Sequence, residues 1–262
     1  MIRPLKVNEA TVRYGTNTAV YRVSLAIEPG QVLGLVGESG SGKSSIARAI
    51  IGLAPLAEGS ARLGEVVVAA PKRRGKRKTK SIQMIFQNPR TSFDPRMTIG
   101  QSIREVLAPG KANGSVTDRC VELLDQVSLD PVVLNQRPSV LSGGMLQRAA
   151  IARALGAEPE ILIADEVTSS LDVSVQAVVL NHLRAVQAAT GLSILFVSHN
   201  LAVVRYVSDY IAVMRRGEVV EAGPTMELVS NPQHPYTQQL LKAVPALKGF
   251  ESEPQSKEAP DD

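Results

Sequence analysis

The sequence predicts an α/β fold in which helices wind around a parallel β-sheet and a helical lobe is inserted into that core. Three observations carry the expectation. A short apolar run at 31–36 passes through a glycine-rich turn into 44–51, whose apolar residues recur at helical spacing. Two more apolar, β-rich runs at 161–164 and 193–197 flank residues 173–190, where Val, Leu and Ala are spaced as in a helix up to Gly191. From about 88 to 155 helical patterns prevail, broken by prolines.

In chain order, residues 20–27 read as a strand closed by Glu28-Pro29-Gly30, a turn signal. The run at 31–36 is almost wholly apolar, as a parallel strand covered on both faces must be. Three helices are expected in the middle stretch, at 99–107, 117–127 and 145–155, separated by Pro95, Pro109-Gly110 and Pro131. Residues 211–214, Gly217 and Val219-Val220 suggest a closing hairpin. The expected division is an α/β core over about 1–87 and 156–230, a helical lobe over about 88–155, and a C-terminal extension over 231–247. The polar tail at 248–262 is expected to be disordered, and no internal repeat is found.

Composition narrows the class. Hydrophobic content of 44% and charged content of 21% across 262 residues fit one folded α/β domain with an inserted lobe. Aromatic residues make up 3% with no Trp, which argues against a surface built on base stacking. The net charge of +4 owes part of its value to the basic run 72–80. Such a run can attract nucleic acid or anionic lipid, but Gly75 interrupts it and no aromatic accompanies it, so it reads as a solvated loop. Cys120 stands alone, so no internal disulfide or multi-cysteine metal site is available. The first six residues lack the apolar core of a signal peptide, and no run approaches the roughly 18 apolar residues of a membrane span. A cytosolic chain is expected, with any membrane role exercised through a partner.

Gly37-Glu38-Ser39-Gly40-Ser41-Gly42-Lys43-Ser44 matches the phosphate-binding pattern G-x-x-x-x-G-K-S in full. Glycines let successive backbone N–H groups point at phosphate oxygens without a Cβ in the way. Lys43 reaches the β- and γ-phosphates, Ser44 supplies a hydroxyl to Mg²⁺, and the following helix adds its positive end, with Ser45 counted in the same nucleotide-binding set. The run ending in Asp165-Glu166 puts two acids at a strand end. There Asp165 can hold Mg²⁺ through water, and Glu166 can orient or deprotonate an attacking water. Ser142-Gly143-Gly144 caps the helix that follows it and offers a second helix N-terminus suited to an anion.

Phosphate loop, Ser-Gly-Gly helix start and acid pair, in this order, resemble the ATP-binding cassette family. The resemblance covers roughly residues 5–247. It implies a P-loop NTPase (RecA-like) parallel-sheet core of the ABC ATPase type, with an inserted helical subdomain and an antiparallel β subdomain. It also implies ATP and Mg²⁺ as cofactors. By the same resemblance Gln87 is the Q-loop glutamine and a further Mg²⁺ contact, and Ser170-Leu171-Asp172 is the D-loop at a dimer seam. His199 is the switch histidine at the γ-phosphate, and Tyr14 stacks on adenine. Ser142, Gly143 and Gly144 would complete the grip on the nucleotide of a second cassette.

The stretch Phe86 to Gly100, the run from Asp172 to Ala177, and His234-Pro235-Tyr236-Thr237 with Leu240-Leu241 and Val244-Pro245 resemble the peptide/nickel import branch. No catalytic chemistry is read into the C-terminal block. Two positions depart from the family pattern: Met145 replaces a glutamine, and Val167 stands where a proline normally follows the acid pair. Neither removes a phosphate contact, but together they raise the slower member of a non-identical pair of sites as a reading. The partners implied are a second ATP-binding subunit, transmembrane permeases and, indirectly, an extracytoplasmic solute-binding protein, with the chain at the cytoplasmic face of the membrane and no nucleic acid. A soluble ATPase of the same family, without a permease, is the alternative. A nucleic-acid module built on the basic run is a third reading.

Overall fold

The structure is a computed structural model of the chain, and it describes residues 2–71, 80–107, 115–169 and 171–243. Residues 72–79 of the basic run, Pro109-Gly110, Ser170, Val244-Pro245 and the tail lie outside the described residues.

Strand β1 (Leu5–Tyr14) turns at Gly15, where φ is 60°, into the antiparallel strand β2 (Asn17–Ile27). The next strand, β3 (Val32–Val36), is buried at all five residues and feeds the phosphate loop. Helix α1 (Lys43–Ile50) follows, and β4 (Leu56–Leu63) and β5 (Val66–Ala69) return to the antiparallel sheet, whose order is β2-β1-β4-β5. The sequence shows no clear period over β4, because Gly59, with φ 82°, and register shifts against β1 disturb the alternation.

After β6 (Ile82–Ile85) the chain leaves for the helical lobe. Helices α2 (Ile99–Arg104) and α3 (Val116–Asp125) both open on capping boxes, Thr98 with Gln101 and Ser115 with Asp118. A 3₁₀ turn starts at Pro89 ahead of α2, and two more start at Pro131 and Pro138 between α3 and the next helix, where proline presets φ and no N–H is needed. Helix α4 (Gly143–Gly156) returns the chain to the sheet. The expected helix at 99–107 is shorter than its apolar spacing suggests: α2 ends at Arg104, and Leu107 packs against the core from outside it.

Strand β7 (Ile161–Asp165), helix α5 (Val173–Thr190) and strand β8 (Ser193–Ser198) form a strand–helix–strand unit whose two strands pair in parallel. Asp172 caps α5 by accepting from Val175 N at 2.9 Å, and Gly191 ends it with φ 68°. Helix α6 (Leu201–Val207) leads to the hairpin of β9 (Tyr210–Arg215) and β10 (Glu218–Pro224). Helices α7 (Thr225–Ser230) and α8 (Pro235–Lys242) close the described chain.

The larger sheet runs β10-β9-β3-β8-β7-β6 and is parallel except at β10. Alternate residues of its central strands face two cores. Leu162, Ala164, Ile194 and Phe196 join the lobe-side core with α2 to α5, while Ile161, Ile163, Leu195 and Val197 join α1 and the antiparallel sheet. Both faces are thus covered, as an all-apolar parallel strand requires. The carboxyl ends of β3, β8, β7 and β6 lie side by side, and that edge is where an open α/β sheet binds its ligand. Among the described residues, no helix is long and apolar enough to cross a membrane.

Candidate functional site

The loop at 37–44 is held against backbone on two sides. A Cβ on Gly37 would lie 2.1 Å from the Met214 carbonyl oxygen, and one on Gly42, where φ is 103°, would lie 2.5 Å from that of Ala19. Any other residue at either position must push a strand away. Gly217 N donates to Ser41 O at 2.9 Å, so the turn of the β9–β10 hairpin also braces the loop. Glu38, Ser39 and Gly40 are exposed at its outer curve, Ser41 is buried, and Ser45 is half-buried on α1.

Lys43 lies inside this curve, 4% exposed. Its ammonium donates to Gly37 O at 2.7 Å, Glu38 O at 2.8 Å and the Ser41 hydroxyl at 3.3 Å. Burial lowers its pKa from the ordinary lysine value, and the carboxylates of Glu166, Asp165 and Glu38 oppose that shift. A buried cation at a helix start is a seat for an anion.

Two strands away, Asp165 ends β7 at 1% exposure. The Ser44 hydroxyl donates to its Oδ1 at 2.7 Å, and the Arg48 guanidinium stands 4.0 Å from Oδ2. Burial raises the Asp165 pKa, against the Ser44 hydrogen bond and the Arg48 charge. Arg48 lies one helical turn beyond Ser44 on α1, a spacing that could have marked it in the sequence.

Glu166 leaves the strand in the left-handed region, with φ 50°, a conformation that costs a non-glycine residue of order 1 kcal/mol or more. Its amide is fixed by donating to Val197 O at 2.9 Å. The carboxylate, 16% exposed, is held on both oxygens: Gln87 Nε2 donates to Oε2 at 3.0 Å, and His199 Nδ1 lies 3.4 Å from Oε1. Ser169, which the sequence does not single out, accepts from Gln87 Nε2 at 3.3 Å and donates to Glu166 O at 3.0 Å. Val167 is 1% exposed in the lobe-side core, so the side chain that replaces proline has a packing role. Met145 packs against the same core.

The structure therefore brings Lys43, Ser44, Asp165, Glu166, Gln87 and His199 to one edge. It leaves others apart. Ser142 caps α4, its hydroxyl accepting from Met145 N at 3.3 Å, and Ser142 and Gly143 are exposed. Gly144 packs so closely on α5 that a Cβ would meet Val175 Cγ1 at 2.5 Å. Among the described residues these three make no hydrogen bond to the phosphate loop. Tyr14 is 44% exposed at the end of β1, paired with Asn17 across the turn.

The donor set suits Mg²⁺. A serine hydroxyl, a buried aspartate and the amide oxygen of Gln87 are hard oxygen ligands of the kind that ion takes. Among the described residues no group of three or more His, Cys, Asp and Glu side chains could form a metal cage. Mg²⁺ held by one carboxylate together with substrate phosphates needs no such cage.

The chain resembles known proteins in the same terms. Residues 20–169 match the family model described as ABC transporter, and residues 220–261 match that described as Oligopeptide/dipeptide transporter, C-terminal region. The oligopeptide transport ATP-binding protein OppF of Salmonella typhimurium is 46% identical over 234 residues, spanning 88% of this chain and 70% of that protein. OppF of Bacillus subtilis is 44% identical over 249 residues, spanning 93% and 81%. A dimeric ATP-binding cassette, MJ0796, solved in a post-hydrolysis state with ADP and Pi, superposes with a TM-score of 0.74 at 27% identity, over 84% of this chain and 98% of that one. The cbiO1 structure from Clostridium perfringens, at 23% identity and a TM-score of 0.77 over 88% and 92% of the two chains, shares the fold.

Proposed function

Because the chain belongs to the ABC transporter family, in the branch with the oligopeptide/dipeptide C-terminal region, we propose that it is the ATP-binding and ATP-hydrolysing subunit of an oligopeptide importer. One observation carries the chemical part: the Glu166 carboxylate is held by Gln87 and His199 beside the Ser44–Asp165 pair.

In this reading Lys43 and loop amides other than those of Glu38 and Ser41, which are bonded within the fold, hold the triphosphate, while Ser44, Asp165 and Gln87 would hold Mg²⁺, which would neutralise charge on the phosphate oxygens. Glu166 is the base for the attacking water, and its position on two hydrogen bonds fixes where that proton is received. Gln87 and His199 contact Glu166 and the γ-phosphate together, so they can report whether that phosphate is present. Tyr14 is available to stack on adenine. Ser142, Gly143 and Gly144, at the start of α4, serve the nucleotide of a second ATP-binding subunit. Each γ-phosphate would then join two chains, and hydrolysis would release them, moving the attached permeases between inward and outward states.

The partners in this reading are a second cassette, two permeases and, beyond the membrane, a peptide-binding protein, with the chain at the cytoplasmic face. The reading without a permease is not favoured, because the C-terminal match and the OppF relatives belong to transport proteins. The deciding experiment uses membrane vesicles reconstituted with this chain, its companion cassette and the permeases. Uptake of a labelled tripeptide should require ATP and stop with Lys43→Ala. ATP hydrolysis that ignores both permeases and peptide would refute the transport role.

A further inference from the structure

The phosphate loop has a neighbour that its motif does not announce. Tyr236, near the start of α8, is 2% exposed, and its hydroxyl accepts a hydrogen bond from the Glu38 amide at 3.0 Å across 198 residues of sequence. The carbonyl of the same residue, Glu38, accepts from the Lys43 ammonium at 2.8 Å. One residue of the loop is therefore held at its amide by the C-terminal segment and at its carbonyl by the lysine that grips phosphate.

The tyrosine is itself firmly placed. Glu221 on β10 accepts from Gln233 N at 2.8 Å and His234 N at 3.0 Å, which docks the segment on the hairpin. His234 Nδ1 accepts from Tyr236 N at 3.1 Å and caps α8, whose first residue is Pro235. The Arg215 guanidinium covers the ring at 4.8 Å from its centroid. Since the same hairpin braces Ser41 through Gly217, the loop meets one continuous body made of β9, β10 and α8.

We infer that Tyr236 is a positioning residue for nucleotide binding: its hydroxyl fixes the Glu38 peptide, and through it the carbonyl against which Lys43 is set. The inference rests on the nucleotide-binding role proposed for the loop. It gives the His-Pro-Tyr-Thr motif a physical task at the ATP site, in addition to its value as a mark of the family branch. Tyr236→Phe deletes the acceptor while retaining the ring, its packing and its contact with Arg215.

The test titrates full-length protein, unaltered and Tyr236→Phe, with a fluorescent ATP analogue and Mg²⁺, and follows ATP hydrolysis and thermal melting alongside. The expected Kd and KM of the variant are about 2- to 10-fold higher, the range of one lost hydrogen bond, with a smaller effect on kcat. An unchanged Kd, even with a lowered melting temperature, would reduce Tyr236 to a packing residue and overturn the inference. If the unaltered protein binds no ATP, the proposed function falls as well; if it binds ATP and the variant binds equally, only the role of Tyr236 falls.

Discussion

The Ser44 hydroxyl donates to Asp165 at 2.7 Å, joining the phosphate loop to the end of β7 across 121 residues of sequence. The bond lightens the burial of a carboxylate that is 1% exposed, and under the proposed function it would set two oxygen ligands beside one cation. Ser44→Ala removes a ligand and leaves Asp165 without its donor. The apparent Mg²⁺ affinity for ATP hydrolysis is expected to fall about 10- to 100-fold, read from rates across a Mg²⁺ titration.

Asp165 also gives a pH signature. Its folded-state pKa is raised by burial above the ordinary 3.8, so the protonated form is favoured by folding. Its contribution is most favourable below the unfolded value and is lost as pH rises through the folded one. Asp165→Asn stays neutral throughout, so its melting temperature should rise relative to unaltered protein as pH increases through that window, then hold a constant lead at neutral pH. Mg²⁺-dependent hydrolysis should disappear in the same variant. A lead that shrinks with rising pH would contradict the burial argument.

Glu166→Gln keeps the size of the side chain and removes its basicity. ATP binding should persist, while hydrolysis falls about 10²- to 10⁴-fold, the usual contribution of a general base. Single-turnover measurements with bound ATP separate the two effects. Turnover at the original rate would move the base elsewhere.

Gly191→Ala examines the fold alone. At φ 68° the added Cβ would meet only Ile2 Cδ1, at 3.7 Å, so no clash arises and the cost lies in the backbone. A loss of about 1 kcal/mol is expected, seen as a melting temperature roughly 2–4 °C lower. ATP binding should remain as it was.

How far the sequence could be read depends on how local each cause is. Helix α5 was legible to its end residues because Asp172 and Gly191 act within one turn of it. The placement of Lys43 and Ser44 at the start of α1 was legible because one continuous stretch carries strand, glycine loop and helix. Residues 99–107 misled, since Leu107 owes its apolar character to core packing beyond the end of α2. Ser169 and Tyr236 were not legible in their roles: each depends on a partner 82 or 198 residues away that no spacing rule connects. The left-handed backbone of Glu166 was hidden for a similar reason, because the tertiary frame around Val197 and buried Val167 imposes it on a residue that does not favour it.

Lys43 carries three donors, and the structure gives each an acceptor, in Gly37, Glu38 and Ser41. A phosphate oxygen that reaches this ammonium must trade places with a partner already there, so the net attraction is a difference between two similar bonds. The exchange concerns the ammonium alone and applies equally to ATP and to ADP.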